Sequence, residues 1–75
     1  MKLIFQNRYG KERVIAEPNS KKEIIEEINK FLDEHNFKSY YTRVCYTGER
    51  LELDVGSHTE FFYVEGMTFE DWVNW

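Results

Sequence analysis

The chain holds one cysteine, Cys45, and one proline, Pro18, among its 75 residues. A lone cysteine can form neither an intramolecular disulfide nor a cysteine-based zinc centre, and it suits a reducing cytoplasm. Long hydrophobic runs are also missing. The longest, residues 61–64, is far short of a signal-peptide core or a membrane span, so the sequence reads as a cytoplasmic chain with no membrane role. Positive charge is scarce: ten Lys and Arg stand against fourteen Asp and Glu, for a formal charge of −4. That balance argues against a general nucleic-acid binder, which needs a basic patch to neutralise phosphates. The deficit is concentrated after residue 48, where Arg50 alone faces Glu49, Glu52, Asp54, Glu60, Glu65, Glu70 and Asp71.

Aromatic residues are plentiful at 17% of the chain. A single domain of this size buries only about 60% of its unfolded surface, so the aromatics must be divided between one modest core and a contact surface. Residues 1–75 read as that single domain, with no repeat, linker or low-complexity segment.

Residues 2–6 and 13–16 flank Arg8-Tyr9-Gly10-Lys11 and predict a hairpin. A two-residue Tyr9-Gly10 turn would set Phe5 opposite Val14, Leu3 opposite Ala16 and Ile4 opposite Ile15. Glu17-Pro18-Asn19 ends the hairpin, and Ser20 with Glu23 has the spacing of reciprocal N-capping. Ile24, Ile25, Ile28, Phe31 and Leu32 then recur at helical spacing as one stripe. Asn36 can take the left-handed conformation that closes a helix, with Phe37 folding back on the last turn. His35 falls at that end and is assigned no function.

From Ser39 the period becomes two. Residues 40–47 and 50–55 predict strands around Gly48-Glu49, a type II′ turn, with Tyr46 opposite Leu51, Val44 opposite Leu53 and Thr42 opposite Val55 facing a core. The same register sets Arg43 across from Asp54 on the opposite face, with Tyr41, Cys45 and Glu52. Residues 60–64 predict a further strand, with Phe62 and Val64 inward and Phe61 and Tyr63 outward. Thr68, with Asp71 at capping distance, predicts a short helix from Phe69 to about Asn74 that carries Phe69, Trp72 and Val73 on one side. The whole reads as α+β: an antiparallel sheet in the order β-β-α-β-β-β, one long helix on one face, and a short C-terminal helix.

Two sets of residues compete for function. Asp54, His58 and Glu60 form the one ionisable cluster that looks like a site, with His58 as a base or the three as metal ligands. His58 lacks a neighbouring nucleophile or a second metal-spaced His. The simpler reading is a polar turn, so no catalytic residue, metal or cofactor is assigned. Tyr41, Arg43, Phe61, Tyr63, Trp72 and Trp75 are the second set. They make an aromatic sheet face too apolar to be merely solvated, with tryptophans that either dock on it, hiding Ile4, Ile15 and Phe61, or mark an interface. Tyr40, Tyr41, Arg43 and Tyr46 invite comparison with base-stacking platforms, but Glu52 and Asp54 on that face would repel phosphate. Cys45 reads as a small strand residue.

The run Tyr40-Tyr41-Thr42-Arg43, followed by Asp54-Val55-Gly56-Ser57-His58-Thr59-Glu60-Phe61-Phe62, resembles small uncharacterised proteins of phages and prophages of Gram-positive bacteria. In these a strand ending in Asp-x-Gly-Ser leads to a pair of aromatics. The resemblance covers the C-terminal half and implies a cytoplasmic protein that binds, blocks or recruits a host component. The expectation is therefore a protein-interaction module, with a protein partner or a second copy of itself. The alternative is a small-ligand domain or minor enzyme using the Asp54/His58/Glu60 turn.

Overall fold

Helix α1 (Lys21–Glu34) forms where the apolar period and both end signals agree. The computed structural model describes residues 1–37, 43–47, 50–57 and 59–75. Ser20 is extended and accepts the Glu23 N–H on Oγ at 3.2 Å, while the Glu23 carboxylate reaches back to the Asn19 N–H. The Ser20 half of the expected reciprocal cap is present, but the Glu23 carboxylate takes the N–H of Asn19 in place of that of Ser20. At the other end Asn36 takes φ +54°, the Phe37 N–H donates to the Leu32 carbonyl at 2.9 Å, and the Asn36 N–H donates to the Asp33 carbonyl at 3.2 Å. These two bonds are a Schellman closure, which satisfies carbonyls the helix itself cannot. Ile24, Ile28, Phe31 and Leu32 are buried, but Ile25 is exposed. Expected in the stripe, Ile25 is turned about 100° from Ile24 and so leaves the face that meets the sheet.

The sheet has five antiparallel strands, β1 (Lys2–Gln6), β2 (Glu12–Ala16), β3 (Arg43–Thr47), β4 (Arg50–Asp54) and β5 (Phe61–Glu65). Their spatial order is β2-β1-β5-β4-β3. Together with α1 and the short α2 (Phe69–Asn74), they make the α+β fold that the periodicities predicted. The first strand lies beside the last, so the N-terminal hairpin and the β3-β4-β5 meander share one sheet. Leu3, Leu51, Leu53, Phe62 and Val64 form the floor of the core beneath α1. Phe62 and Val64 are the inward residues of β5, as expected.

The β3/β4 register sets Arg43 opposite Asp54, Val44 opposite Leu53 and Tyr46 opposite Leu51, as expected. The predicted Gly48-Glu49 turn, the start of that strand at Tyr40 and the Thr42 pairing lie outside the described residues. Tyr46 needs correction. It shares a face with buried Leu51 yet is 54% exposed, because β3 is an edge strand and the core sits over β1, β5 and β4.

The first hairpin also differs. Asn7 pairs with Lys11, and its side-chain Oδ1 accepts the Tyr9 and Lys11 N–H groups at 2.9 and 3.0 Å, while Gly10 takes φ +80°. A two-residue turn of the primed type would demand positive φ at Tyr9 as well, and Asn7 supplies a cheaper turn by bonding the backbone itself. Ile4 therefore faces Val14 and Phe5 faces Arg13, until an irregularity between Leu3 and Ile4 restores Leu3 opposite Ala16. Ile15 is the extra residue of this bulge. Arg13, on the helix side, lays its guanidinium 5.8 Å from the centre of the Phe31 ring.

Helix α2 begins with the predicted cap: Thr68 Oγ1 accepts the Asp71 N–H at 3.0 Å, and Asp71 Oδ2 accepts the Thr68 N–H at 3.2 Å. Of its apolar residues only Trp72 is buried; Phe69 and Val73 are exposed. The helix lies against β3, and Trp72 joins the core beneath α1. Of the two alternatives for the C-terminal tryptophans, docking on the outer face over Ile4, Ile15 and Phe61 is not the one found: Trp72 is buried on the helix side and Trp75 is exposed. Lys21 holds the end of α2. Its ammonium donates to the Trp72 carbonyl at 2.9 Å and stands 4.5 Å from the Trp72 ring centre, satisfying a carbonyl at the negative end of α2.

The cavity-forming variant Phe62→Ala is expected to cost about 3–5 kcal/mol, and loss of the cap in Ser20→Ala about 1 kcal/mol. Urea denaturation should rank them in that order; equal costs would mean that the core does not centre on Phe62.

Candidate functional site

The outer face of the sheet is the first place to test for an open aromatic surface. Pairing sets Ile4 against Tyr63 there, with Val14 beyond Ile4 and Glu52 beyond Tyr63. Among the described residues no helix covers this side, yet Ile4 is only 5% exposed and Tyr63 only 8%. Arg50 supplies the cover. Its guanidinium lies 3.9 Å from the Tyr63 ring centre and reaches Glu12 with two hydrogen bonds, Nη1 to Oε1 at 2.9 Å and Nη2 to Oε2 at 2.7 Å. Glu65 adds a second carboxylate at 4.0 Å. Since β5 and β1 separate β4 from β2, the pair bridges the sheet above Tyr63.

Electrostatics follow from this geometry. The Arg50 hydrogen bond holds the Glu12 carboxyl below its ordinary value, and Glu12 in turn raises Arg50. Tyr63 is pushed up, first by burial and then by the neighbouring Glu52 carboxylate. The tyrosine is thus a neutral, covered residue, and its ring offers little surface to a ligand.

The Asp54 turn is likewise occupied by its own backbone. Asp54 Oδ2 accepts from Arg43 at 3.3 Å, and Oδ1 accepts the Gly56 N–H at 2.9 Å. Ser57 Oγ accepts the Glu60 N–H at 3.1 Å and the Thr59 N–H at 3.4 Å. These are turn-forming bonds. His58 and Tyr41 lie outside the described residues. Among the described residues no three His, Cys, Asp or Glu side chains are grouped so as to hold a metal ion. Next to this turn, a cavity of about 190 Å³ opens between the C-terminal end of α1 and the sheet. Phe5, Phe37 and Phe62 line it with His35, Ser57 and Glu60. His35 is fixed there by Nδ1–H donation to the Phe31 carbonyl at 2.8 Å and by stacking on the Phe31 ring, centres 4.1 Å apart.

The more open apolar surface is the seam between α1 and α2. Val44, Leu53, Ile25, Ile28 and Trp72 line a groove of about 300 Å³. It continues past Lys21 and Ile25 to a second, shallower groove bounded by Trp75, Lys22 and Glu26. Trp75 is 60% exposed, and Ile25, Phe69 and Val73 are also exposed. Trp72 gives the seam a fixed floor because its ring is held in the core and its carbonyl is held by Lys21.

Of the residues singled out from sequence, the structure joins Arg43 to Asp54, covers Tyr63, buries Trp72 and leaves Phe61 half-buried and Trp75 open. Sequence reasoning missed Arg50 and Ile25. Arg50 carried a signal as the lone cation of an acidic stretch, whereas Ile25 looked like one more residue of the core stripe. The chain matches no protein-family model, no curated protein and no solved structure.

The sign of the pH response can be stated. Glu12 has a depressed folded value, so its share of stability is present above the unfolded carboxyl value of about 4.3 and is lost as pH falls through the folded value. For a partly exposed pair this share is at most about 1 kcal/mol. Tyr63 has a raised folded value, so its share is full below about pH 10 and is lost as pH rises through the folded value. Ultraviolet titration of the folded protein should show a late tyrosine ionisation, above the ordinary value of about 10, and Tyr63→Phe should remove that late step. Retention of the late step in Tyr63→Phe would mean that Arg50 and the strands do not cover this ring.

Proposed function

We propose that the chain is a small protein-binding module, and that the α1–α2 seam is its contact surface. The observation that carries this reading is the apolar strip from Val44 over Trp72 and Ile25 to Trp75. A rigid tryptophan floor beside an exposed tryptophan and isoleucine fits the chemistry of an interface hot spot, in which a few large side chains exclude water and carry most of the binding energy. The charged residues lining the strip are Lys21, Lys22 and Glu26, a mixed rim around an apolar centre, while the acidic C-terminal third, with Glu70 and Asp71 exposed on α2, would favour a partner with basic residues. The phage- or prophage-type context implied by the run from Tyr40 to Phe62 belongs to the same proposal. In that setting the domain works in the cytoplasm as an inhibitor of, or adaptor to, a host protein.

A second reading has its own observation, the cavity beside His35 and Glu60. An apolar pocket with a few polar groups at its mouth is the usual form of a small-molecule site, although such sites are commonly larger, at about 300–1,000 Å³. One experiment separates the two. Tagged protein is used to capture partners from host lysate at low and high salt, alongside Ile25→Glu and Trp75→Ala. A salt-sensitive protein partner, bound at least about tenfold more weakly by either variant while their circular dichroism stays native, is the expected result. A partner bound equally by both variants would overturn the seam, and a small molecule retained by wild type and variants alike would favour the cavity.

A further inference from the structure

We infer that β3 pairs with β3 of a second copy of this chain, antiparallel about Cys45, to continue the sheet across a two-fold axis. The sheet has two edges, β2 and β3, and they are treated differently. β2 carries a bulge at Ile15, charged Glu12 and Arg13, and Pro18 just beyond its end, all devices that discourage edge pairing. β3 has a regular register with β4 and contains no proline. Its one charged residue, Arg43, is already paired with Asp54. Among the described residues no strand lies on its outward side.

The register follows from the ladder. Thr47 pairs with Arg50 across two intervening residues, so this closing pair is hydrogen-bonded and the alternation continues inward to Cys45 and Glu52. Val44 and Tyr46 therefore present their N–H and C=O groups to the outer edge. Antiparallel pairing about Cys45 sets Val44 opposite Tyr46 of the second copy, and Tyr46 opposite its Val44, each pair exchanging both bonds. Arg43 meets Thr47, so no like charges oppose one another. Paired residues share a face, so both copies keep their helices on one side and the apolar flanks become continuous. Tyr46, 54% exposed in one copy, gains half-buried Val44 of the other as a neighbour. The exposed Cys45 falls opposite itself on the outer face in a non-bonded pair, where Cα atoms approach to about 4.5 Å, within disulfide reach. This contact is made by the backbone edge of β3 and shares only Val44 with the α1–α2 seam.

Sedimentation of the purified protein under reducing conditions should give a dimer. Cys45→Lys and Cys45→Glu, each placing like charges across the axis, should sediment as folded monomers by circular dichroism. Mixed in equal amounts, the two should restore the dimer. Independently of any variant, diamide should convert the wild-type dimer to a species cross-linked through Cys45, in which two thiols give two protons and two electrons to the diamide and form one disulfide. A wild-type monomer at all accessible concentrations, a dimer that Cys45→Lys leaves unchanged, or a dimer that diamide fails to cross-link would each overturn the inference. A monomer would leave the β3 edge to an extended segment of another protein.

Discussion

The pairing of β1 with β5 is the constraint on which the rest of the molecule depends. It joins residues 2–6 to residues 61–65, so almost the whole chain is the loop that it closes. Closing a loop of that length costs entropy that only simultaneous burial can offset. The burial is supplied on both faces of the same two strands. Leu3 opposite Val64 and Phe5 opposite Phe62 form the floor beneath α1, and Ile4 opposite Tyr63 forms the centre of the outer face. Without this pairing the first hairpin would be a two-stranded ribbon, which is marginal alone in water.

The two faces are then closed by different means. On the inner side a helix with apolar Ile24, Ile28, Phe31 and Leu32 covers the floor, and Trp72 fills the remaining end beside β3. On the outer side there is no helix left to use. A guanidinium held by two carboxylates and laid over a tyrosine ring keeps water from Tyr63 at little cost in stability, since arginine is weakly hydrated and stacks on aromatic faces. The aromatic excess of the sequence is thereby divided. Among the described residues, Phe5, Phe31, Phe62, Tyr63 and Trp72 are taken up by the fold, while Trp75 stays open beside the α1–α2 seam, Tyr46 on the β3 edge and Tyr9 in the first hairpin turn.

Local signals were legible and long-range ones were not. Ser20, Glu23, Asn36 and Phe37 announce both ends of α1, because caps are set by residues within one turn. Arg43 and Asp54 fall opposite one another because a two-residue connection leaves little freedom in register. The first hairpin was misread at Asn7, whose side chain outcompetes Gly10 for control of the turn. The side of the sheet taken by Trp72 was not legible, because its partner Lys21 lies some fifty residues away in sequence. Of the candidate site, Trp75 was singled out as a tryptophan that would either dock or stand exposed, and the sequence left that choice open. Ile25 was hidden in a helical stripe, and Arg50 could be linked to Glu12 only once the strand order placed β1 and β5 between them.

Amide hydrogen exchange tests the central claim most directly. If β1 and β5 hold the fold together, their ladder amides should be the slowest in the protein and should exchange only on global unfolding, with those of the β2 edge faster. Exchange of the β1 amides as fast as those of β2, while β4 and β5 stay protected, would contradict the account. It would mean that the hairpin merely rests on a meander that is stable without it.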